Sequence, residues 1–384
     1  MFKLLKNGIC YAPEFLGNKD ILLVFNKIYK IAENIPETNL MDLEVIDCTD
    51  KIVCPGLIDQ HLHITGGGGE AGFVSRIPEI KLSDILIAGV TTVVGVLGFD
   101  SITRSLEGLL AKARALEAEG LNTYIYTGSY EIPTATITGK VIKDITFIDK
   151  IIGVGEIAIS DHRSSHPTLD MLKELAFEAR AAGLLTNKAG IVHIHVGDGK
   201  NGLNPLFELV NNSDFPMEMF VPTHLNRNKN LFHQALEYAK IGGNIDLTAG
   251  ESSENGYSVP DALELILKEK VPIDRVTVSS DGNGSVPSKG TGAAVGKAYQ
   301  LFEDIRTCIM ERKLDLTSVL KTVTENVSKR IKLHPKKGVL SEGSDGDLLI
   351  VNKEDFSINT VFIGGEKFID NGMIVKKGYY ENCQ

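Results

Sequence analysis

Between Gly56 and Arg330 the chain alternates strand-like apolar runs with stretches of helical periodicity, and it does so eight times. The strand candidates are GLIDQHLH, TTVVGV, NTYIYT, IIGVGEIAIS, IVHIHV, MFVPTH, NIDLTA and RVTVSSD. Stretches such as LSDILIAG, LEGLLAKARALEAE, LDMLKELAFEARAAG, LFHQALEYAKIGG, PDALELILKEK and AVGKAYQLFEDIRTCIMERK separate them. Their apolar residues recur every three or four positions, and several end in Gly, as helix termini do. Repeated strand–helix units specify an α/β protein with a parallel sheet. Eight units predict a (β/α)8, or TIM, barrel, whose functional groups gather at the C-terminal ends of the strands. An open doubly wound sheet has the same local rhythm; the count of eight favours the barrel.

The ends of the chain have a different texture. FKLLKNGICYA, with Asn7-Gly8 as a hairpin turn, and ILLVFNKIYKIA read as short strands, as do GDLLIVN, TVFIGGEKFI and MIVKKGYY. Residues 1–54 and 333–384 are therefore predicted to fold together as a small β-sandwich domain beside a barrel spanning 55–332. The 384 residues are 43% hydrophobic and 23% charged, which suits a packed core and excludes a disordered chain. A formal charge of −10 argues against a broad nucleic-acid footprint. No stretch approaches the roughly 20 apolar residues of a membrane span, and the start lacks a leader pattern, so a cytoplasmic protein is expected. The five cysteines (Cys10, Cys48, Cys54, Cys308, Cys383) form no CxxC pair. Any metal must then be held by nitrogen and oxygen.

Such ligands stand at the predicted strand ends. His61 and His63 close the first strand, and alternate positions of a strand share a face. His195 closes the fifth strand, His224 the sixth and Asp281 the eighth, while Glu156 lies within the fourth. Ionisable groups on buried strands are costly unless paired or bound to a metal. Four imidazoles and two carboxylates at one end of a barrel make a set suited to zinc or a similar divalent ion. Six ligands exceed what one catalytic ion uses, so two ions are expected, with Glu156 placed to bridge them. Gly66 to Gly69 lack a following GK[ST] and read as a substrate loop rather than a phosphate cradle. His193 falls one layer deeper than His195 and reads as a hydrogen-bonded core residue. His162 and Asp161 adjoin Arg163 and read as groups that position it, and His166, His233 and His334 read as surface or capping residues.

The stretch PGLIDQHLHITGGGGEAGF resembles the opening motif of the amidohydrolase superfamily. With GVTTVVGVLGFDSITR, LLAKARALEAEG, TITG, AISDHRS, PTHLNRN, FHQALEYAKIGG and VSSDGNGS, the chain is similar to the isoaspartyl dipeptidases of that superfamily over essentially the whole barrel. The resemblance implies a zinc-dependent metallopeptidase with two Zn2+ per chain. A metal-bridged hydroxide would hydrolyse the isopeptide bond of β-aspartyl dipeptides, releasing L-aspartate and an amino acid. It assigns His61, His63 and Asp281 to the first metal, and His195 and His224 to the second. Glu70 would hold the substrate α-ammonium, and Tyr130 would polarise the scissile carbonyl. Arg163, Arg227 and Ser285 would hold carboxylates at the two ends of the dipeptide, and Asp281 would also shuttle the proton. The expected partner is this small dipeptide, in a homo-oligomer without nucleic acid or membrane.

One position departs from the family. Dinuclear members bridge their metals with a carboxylated lysine just ahead of the ISDHR motif, whereas here no lysine lies between Lys150 and Lys173 and Glu156 holds that place. The segment is one residue longer than the family's, and glutamate is several atoms shorter than carboxylated lysine. For Glu156 to bridge, the strand must approach the metals more closely, through Gly153, Gly155 or a bulge; the alternative is a site with one metal, or an inactive one, and bridging is the favoured reading. Phe99 is a second departure, where a smaller polar residue is expected. The competing readings are a D-aminoacylase, a cyclic-amide hydrolase such as a hydantoinase, or a non-catalytic paralogue serving as a scaffold. The first two act on substrates without a free α-ammonium, which makes the Glu70 loop the discriminating feature. The intact ligand set argues against the scaffold.

Overall fold

The computed structural model describes residues 2–37, 42–287 and 293–382; Cys383 lies outside them. The eight predicted strands are present: β1 (Leu57–Leu62), β2 (Val90–Gly95), β3 (Asn122–Thr127), β4 (Ile151–Ile159), β5 (Ile191–Val196), β6 (Phe220–Thr223), β7 (Ile245–Thr248) and β8 (Val276–Ser279). β1 to β6 pair in sequence order as one parallel sheet, and β7 pairs with β8. The two pieces join through the Leu225 amide, which donates to the Asp246 carbonyl. At the other seam the Asp281 amide donates to the His61 carbonyl, and Leu62 bridges Gly282. The eight strands thus close into a ring.

Helices follow the strands around this ring, from Leu82–Leu86 and Leu106–Ala118 to Gln300–Met310. Ser105, Thr168, Asn228 and Ser258 each accept a backbone N–H at a helix start, supplying a partner that the first turn lacks. The final predicted helix is shorter than its apolar pattern suggests. Ala293–Val295 instead pairs antiparallel with Ser285–Pro287, because Gly296 exchanges backbone hydrogen bonds with Asn283 and Gly284 beside the barrel mouth.

The terminal segments meet as expected. Lys51–Pro55 pairs antiparallel with Leu348–Asn352, joining both ends of the chain in one nine-stranded sheet. Leu5, Ile21, Leu23, Val53, Leu348, Ile350 and Phe362 from this sheet pack into a core separate from the barrel's. The described strands of this β-rich unit all belong to that one hydrogen-bonded sheet. Asn7-Gly8 is not the hairpin turn that its sequence suggests. It is an irregularity inside strand Phe2–Tyr11, where Asp20 from the facing strand accepts from the Asn7 amide and the Lys6 ammonium. Among the described residues no helix is long and apolar enough to cross a membrane.

A buried charge cluster ties the C-terminal segment to the barrel. Lys337 is 3% exposed, with Nζ 2.8 Å from Asp345 and 2.6 Å from Asp347. Asp347 also accepts from Asn122 at the start of β3. Replacing Lys337 with Met leaves buried Asp347 without its cation and Asp345 with Lys27 alone, and breaking such a buried pair costs about 3–5 kcal/mol. The expected result is a marked fall in the urea unfolding midpoint, whereas a variant as stable as the parent would show that the cluster contributes little.

Candidate metal centre

Five of the eight barrel strands, β1, β4, β5, β6 and β8, deliver groups to one space. His61 lies in β1 and His63 just beyond it, with ring centroids 5.4 Å apart. Glu156 stands between the histidines. Its Oε2 is 3.4 Å from His61 Nε2, 3.2 Å from His195 Nδ1 and 3.6 Å from His224 Nε2, while Oε1 is 3.7 Å from His63 Nε2. Asp281 Oδ1 lies 3.1 Å from His63 Nε2 and 3.4 Å from His61 Nε2. All six sequence-predicted ligands are therefore brought together. They include two triads able to hold a metal ion, His61–His63–Glu156 and Glu156–His195–His224. Glu156 belongs to both.

Burial makes this arrangement costly without a cation. His61 Nε2 and Glu156 Oε1 are buried and have no hydrogen-bond partner among the described residues. Such orphaned atoms, aimed at one space, are what a divalent ion would satisfy. The donor set fits the group.

The reach of Glu156 comes from a β-bulge. Val192 pairs with Val154 and Ile194 with Ile157, so Gly155 and Glu156 together oppose the single residue His193. The bulge absorbs the extra residue and turns Glu156 inward. A Cβ on Gly155 would lie 2.7 Å from the His193 carbonyl oxygen, so the close approach of β4 to β5 requires glycine. The Gly155–Glu156 peptide bond is cis. His224 (φ 64°) and Asp281 (φ 49°) both adopt left-handed backbone, rare outside glycine, which aims their side chains after the strands have ended.

Sequence reasoning missed most of the groups that orient these ligands. His224 Nδ1 pairs with Thr248 Oγ1 at 2.8 Å, leaving Nε2 to face Glu156. His61 Nδ1 pairs with His193 Nε2 at 2.8 Å, and His193 stacks on Tyr126, which matches the core role expected of it. One layer deeper, Asp246 accepts from Gln60, Thr223, Thr277 and Ser279. Asp59 accepts from the backbone amides of His61 and Ser280. The signal was there in part: Asp59, Gln60 and Asp246 are polar residues inside otherwise apolar buried strands.

The electrostatics are those of a tightly coupled cluster. Burial alone would raise Glu156, but the His61 charge and hydrogen bonds from His195 and His224 hold it well below the usual carboxylate range. Burial would likewise raise Asp281, which His61, His63 and His224 hold well below its ordinary value. Burial opposes a charge on His61, yet Glu156 and Asp281 push it up to about 9. His224 goes the other way, to about 3, through burial and the nearby Arg227. Burial, and then Glu156, push Tyr130 well above its ordinary value, so its hydroxyl keeps its proton at neutral pH.

Above the cluster opens a cavity of about 910 Å³ whose lining includes Glu70, Phe99, Tyr130, Arg163, Arg227 and Ser285. The Tyr130 hydroxyl is 2.9 Å from His195 Nδ1. Glu70 Oε1 accepts from Arg163 Nη1 at 3.1 Å and from Ser285 Oγ at 2.9 Å, so three predicted substrate residues already form one group. Arg227 stands apart from them, donating to the Val196 carbonyl, with Nε 4.0 Å from Glu251. Phe99 packs edge-on to Tyr130 with centroids 5.8 Å apart. His162, His166, His233 and His334 are exposed.

A barrel with paired histidine–carboxylate triads under a polar cavity is the layout of a metal-dependent hydrolase. Comparison with known proteins narrows this class. Residues 224–368 match the amidohydrolase family. The chain is 45% identical to a beta-aspartyl dipeptidase from Fervidobacterium islandicum AW-1, solved in complex with a beta-Asp-Leu dipeptide; the match covers 97% of this chain and 98% of that one, with a TM-score of 0.91. A dihydropyrimidinase from Brevibacillus agri shares the fold at 16% identity, with a TM-score of 0.68 over 98% of this chain and 97% of the other. An imidazolonepropionase from Colwellia psychrerythraea is 23% identical over 81% of this chain and 78% of its own length. The chain belongs to the beta-aspartyl dipeptidase family of amidohydrolases.

With His61 held protonated up to about 9 by its carboxylate neighbours, a metal taking its Nε2 must displace a proton at neutral pH. Metal affinity should rise with pH from 7 towards 9, and uptake should release protons. Titration calorimetry in buffers of different ionisation enthalpy measures this directly, and pH-independent binding would contradict it.

Proposed function

We propose that this protein is a zinc-dependent dipeptidase that cleaves the isopeptide bond of β-aspartyl dipeptides, releasing L-aspartate and an amino acid. The carrying observation is the place of Glu156, shared by two histidine pairs beneath a cavity in which Glu70, Arg163 and Ser285 are already grouped. His61, His63 and Asp281 would hold one ion and His195 and His224 the other, with Glu156 between them in place of a carboxylated lysine. The imidazole and carboxylate donors suit zinc. Such a pair lowers the pKa of a bound water towards ~7 and polarises a carbonyl oxygen.

The residues divide the remaining work. Glu70 offers a carboxylate to the free α-ammonium of the aspartyl residue, a group that N-acyl amino acids and cyclic amides lack. Arg163 and Arg227 present planar forks that fit carboxylates, and Ser285 adds a hydroxyl donor. Tyr130 keeps its proton and donates to the carbonyl oxygen as charge develops there, a contribution of about 3 kcal/mol for a well-placed donor. Asp281, beside His63, takes the proton of the attacking water and returns it to the departing amine as base and then acid.

Two measurements check this reading. Metal-depleted protein should regain full activity on zinc addition in bicarbonate-free, CO2-purged buffer, because Glu156 needs no carboxylation. A bicarbonate requirement would refute bridging by Glu156. Glu70→Gln should lower kcat/KM for β-Asp-Leu by about 100-fold, roughly the 3 kcal/mol of a hydrogen bond to a charged group, with metal content unchanged. Loss of metal would instead place Glu70 among the ligands, and undiminished turnover of β-aspartyl substrates would overturn its role.

A further inference from the structure

Asp161 touches both halves of the site. It follows β4, is 5% exposed, and uses each carboxylate oxygen twice. Oδ1 accepts from the Arg163 amide at 2.8 Å and from Arg163 Nε at 3.0 Å. Oδ2 accepts from Arg163 Nη2 at 2.9 Å and lies 2.9 Å from His195 Nε2. The approach to β5 depends on Gly197, where a Cβ would meet Asp161 Oδ2 at 2.5 Å. His162 Nδ1, at 3.5 Å from Oδ1, is the further titratable neighbour.

We infer that Asp161 is a positioning residue that couples occupancy of the His195–His224 metal position to binding of the substrate carboxylate at Arg163. The inference rests on the function proposed above. A neutral imidazole has one N–H, and once a metal takes the Nδ1 lone pair that N–H lies on Nε2 and donates to Asp161, an acceptor without protons. Nδ1 faces that metal position, 3.2 Å from Glu156 Oε2 and 2.9 Å from the Tyr130 hydroxyl. This is the carboxylate–histidine arrangement that orients metal ligands. The same carboxylate holds two of the three guanidinium nitrogens of Arg163, so Nη1, now on Glu70, is the nitrogen directed into the cavity. A metal on His195 locks the Nε2 proton towards Asp161 and so fixes the carboxylate on which Arg163 leans. A carboxylate ligand that orders Arg163 fixes it from the other side. Each therefore favours the other, and linkage requires the effect to be reciprocal.

The test compares zinc binding to metal-depleted protein with and without saturating L-aspartate, the product carrying both the α-ammonium and the carboxylates. In the natural protein, aspartate should tighten zinc at the His195–His224 position at least about fivefold. In Asp161→Asn, whose amide nitrogen must face two N–H donors in either orientation, that zinc should weaken about 10–100-fold, and the aspartate effect should vanish. KM for β-Asp-Leu should rise more than kcat falls. Aspartate that binds, as shown by its inhibition of turnover, yet leaves zinc affinity unchanged in the natural protein overturns the coupling. So does an aspartate effect that survives in the variant. Aspartate that neither inhibits nor binds counts against the proposed substrate instead. The natural-protein comparison needs no variant and so stands even where Asp161→Asn fails to fold.

Discussion

A buried carboxylate facing four imidazoles is the interaction on which the rest of this structure depends. Glu156 lies on the fourth of eight barrel strands, and the histidines around it come from the first, fifth and sixth. No local segment can assemble that set. Removed from water, these groups repel or strand one another unless a proton or a cation lies between them. The opposite shifts of His61 and His224 express this, since one ring is held charged by its carboxylate neighbours and the other is held neutral by burial and Arg227.

The barrel is rigid where the cluster needs support and irregular where the cluster needs reach. Below the ligands, Asp246 gathers four donors from the first, sixth and eighth strands and braces those strands against one another. At ligand level the regular geometry gives way to a bulge in β4 and to left-handed backbone at His224 and Asp281. These departures from ideal strand geometry are costly and persist because surrounding hydrogen bonds over-determine them. Here they aim carboxylate and imidazole at one point. The bulge places Glu156 within 3.7 Å of all four imidazoles.

The cavity continues the same logic outward. Glu70, on the loop after β1, meets Arg163 after β4 and Ser285 after β8, so groups far apart in sequence form an ion pair flanked by a hydroxyl. A zwitterionic ligand can exchange with such a pair, its ammonium replacing the guanidinium at Glu70 and its carboxylate replacing Glu70 at the guanidinium. The three side chains are thereby already organised, which under the proposed function lowers the cost of ordering them on binding.

Much was legible in the chain itself. Alternation of strand and helix sets the barrel, and the two-residue spacing of His61 and His63 dictates a shared face, because both follow from backbone periods that act locally. The Gly66–Gly69 run and the extra residue beside Glu156 were visible as peculiarities of sequence. Other features were not legible. Asn7-Gly8 reads as a turn until Asp20 on the facing strand supplies its partners. Nothing near Asp161 announces that it reaches His195 as well as Arg163, and nothing near Thr248 announces that it orients His224. Local propensity determined which elements form and which groups stand at their ends. Closure of the ring decided which of those groups meet, because hydrogen bonding and coordination act over about 3 Å between residues as far as 221 positions apart in the chain.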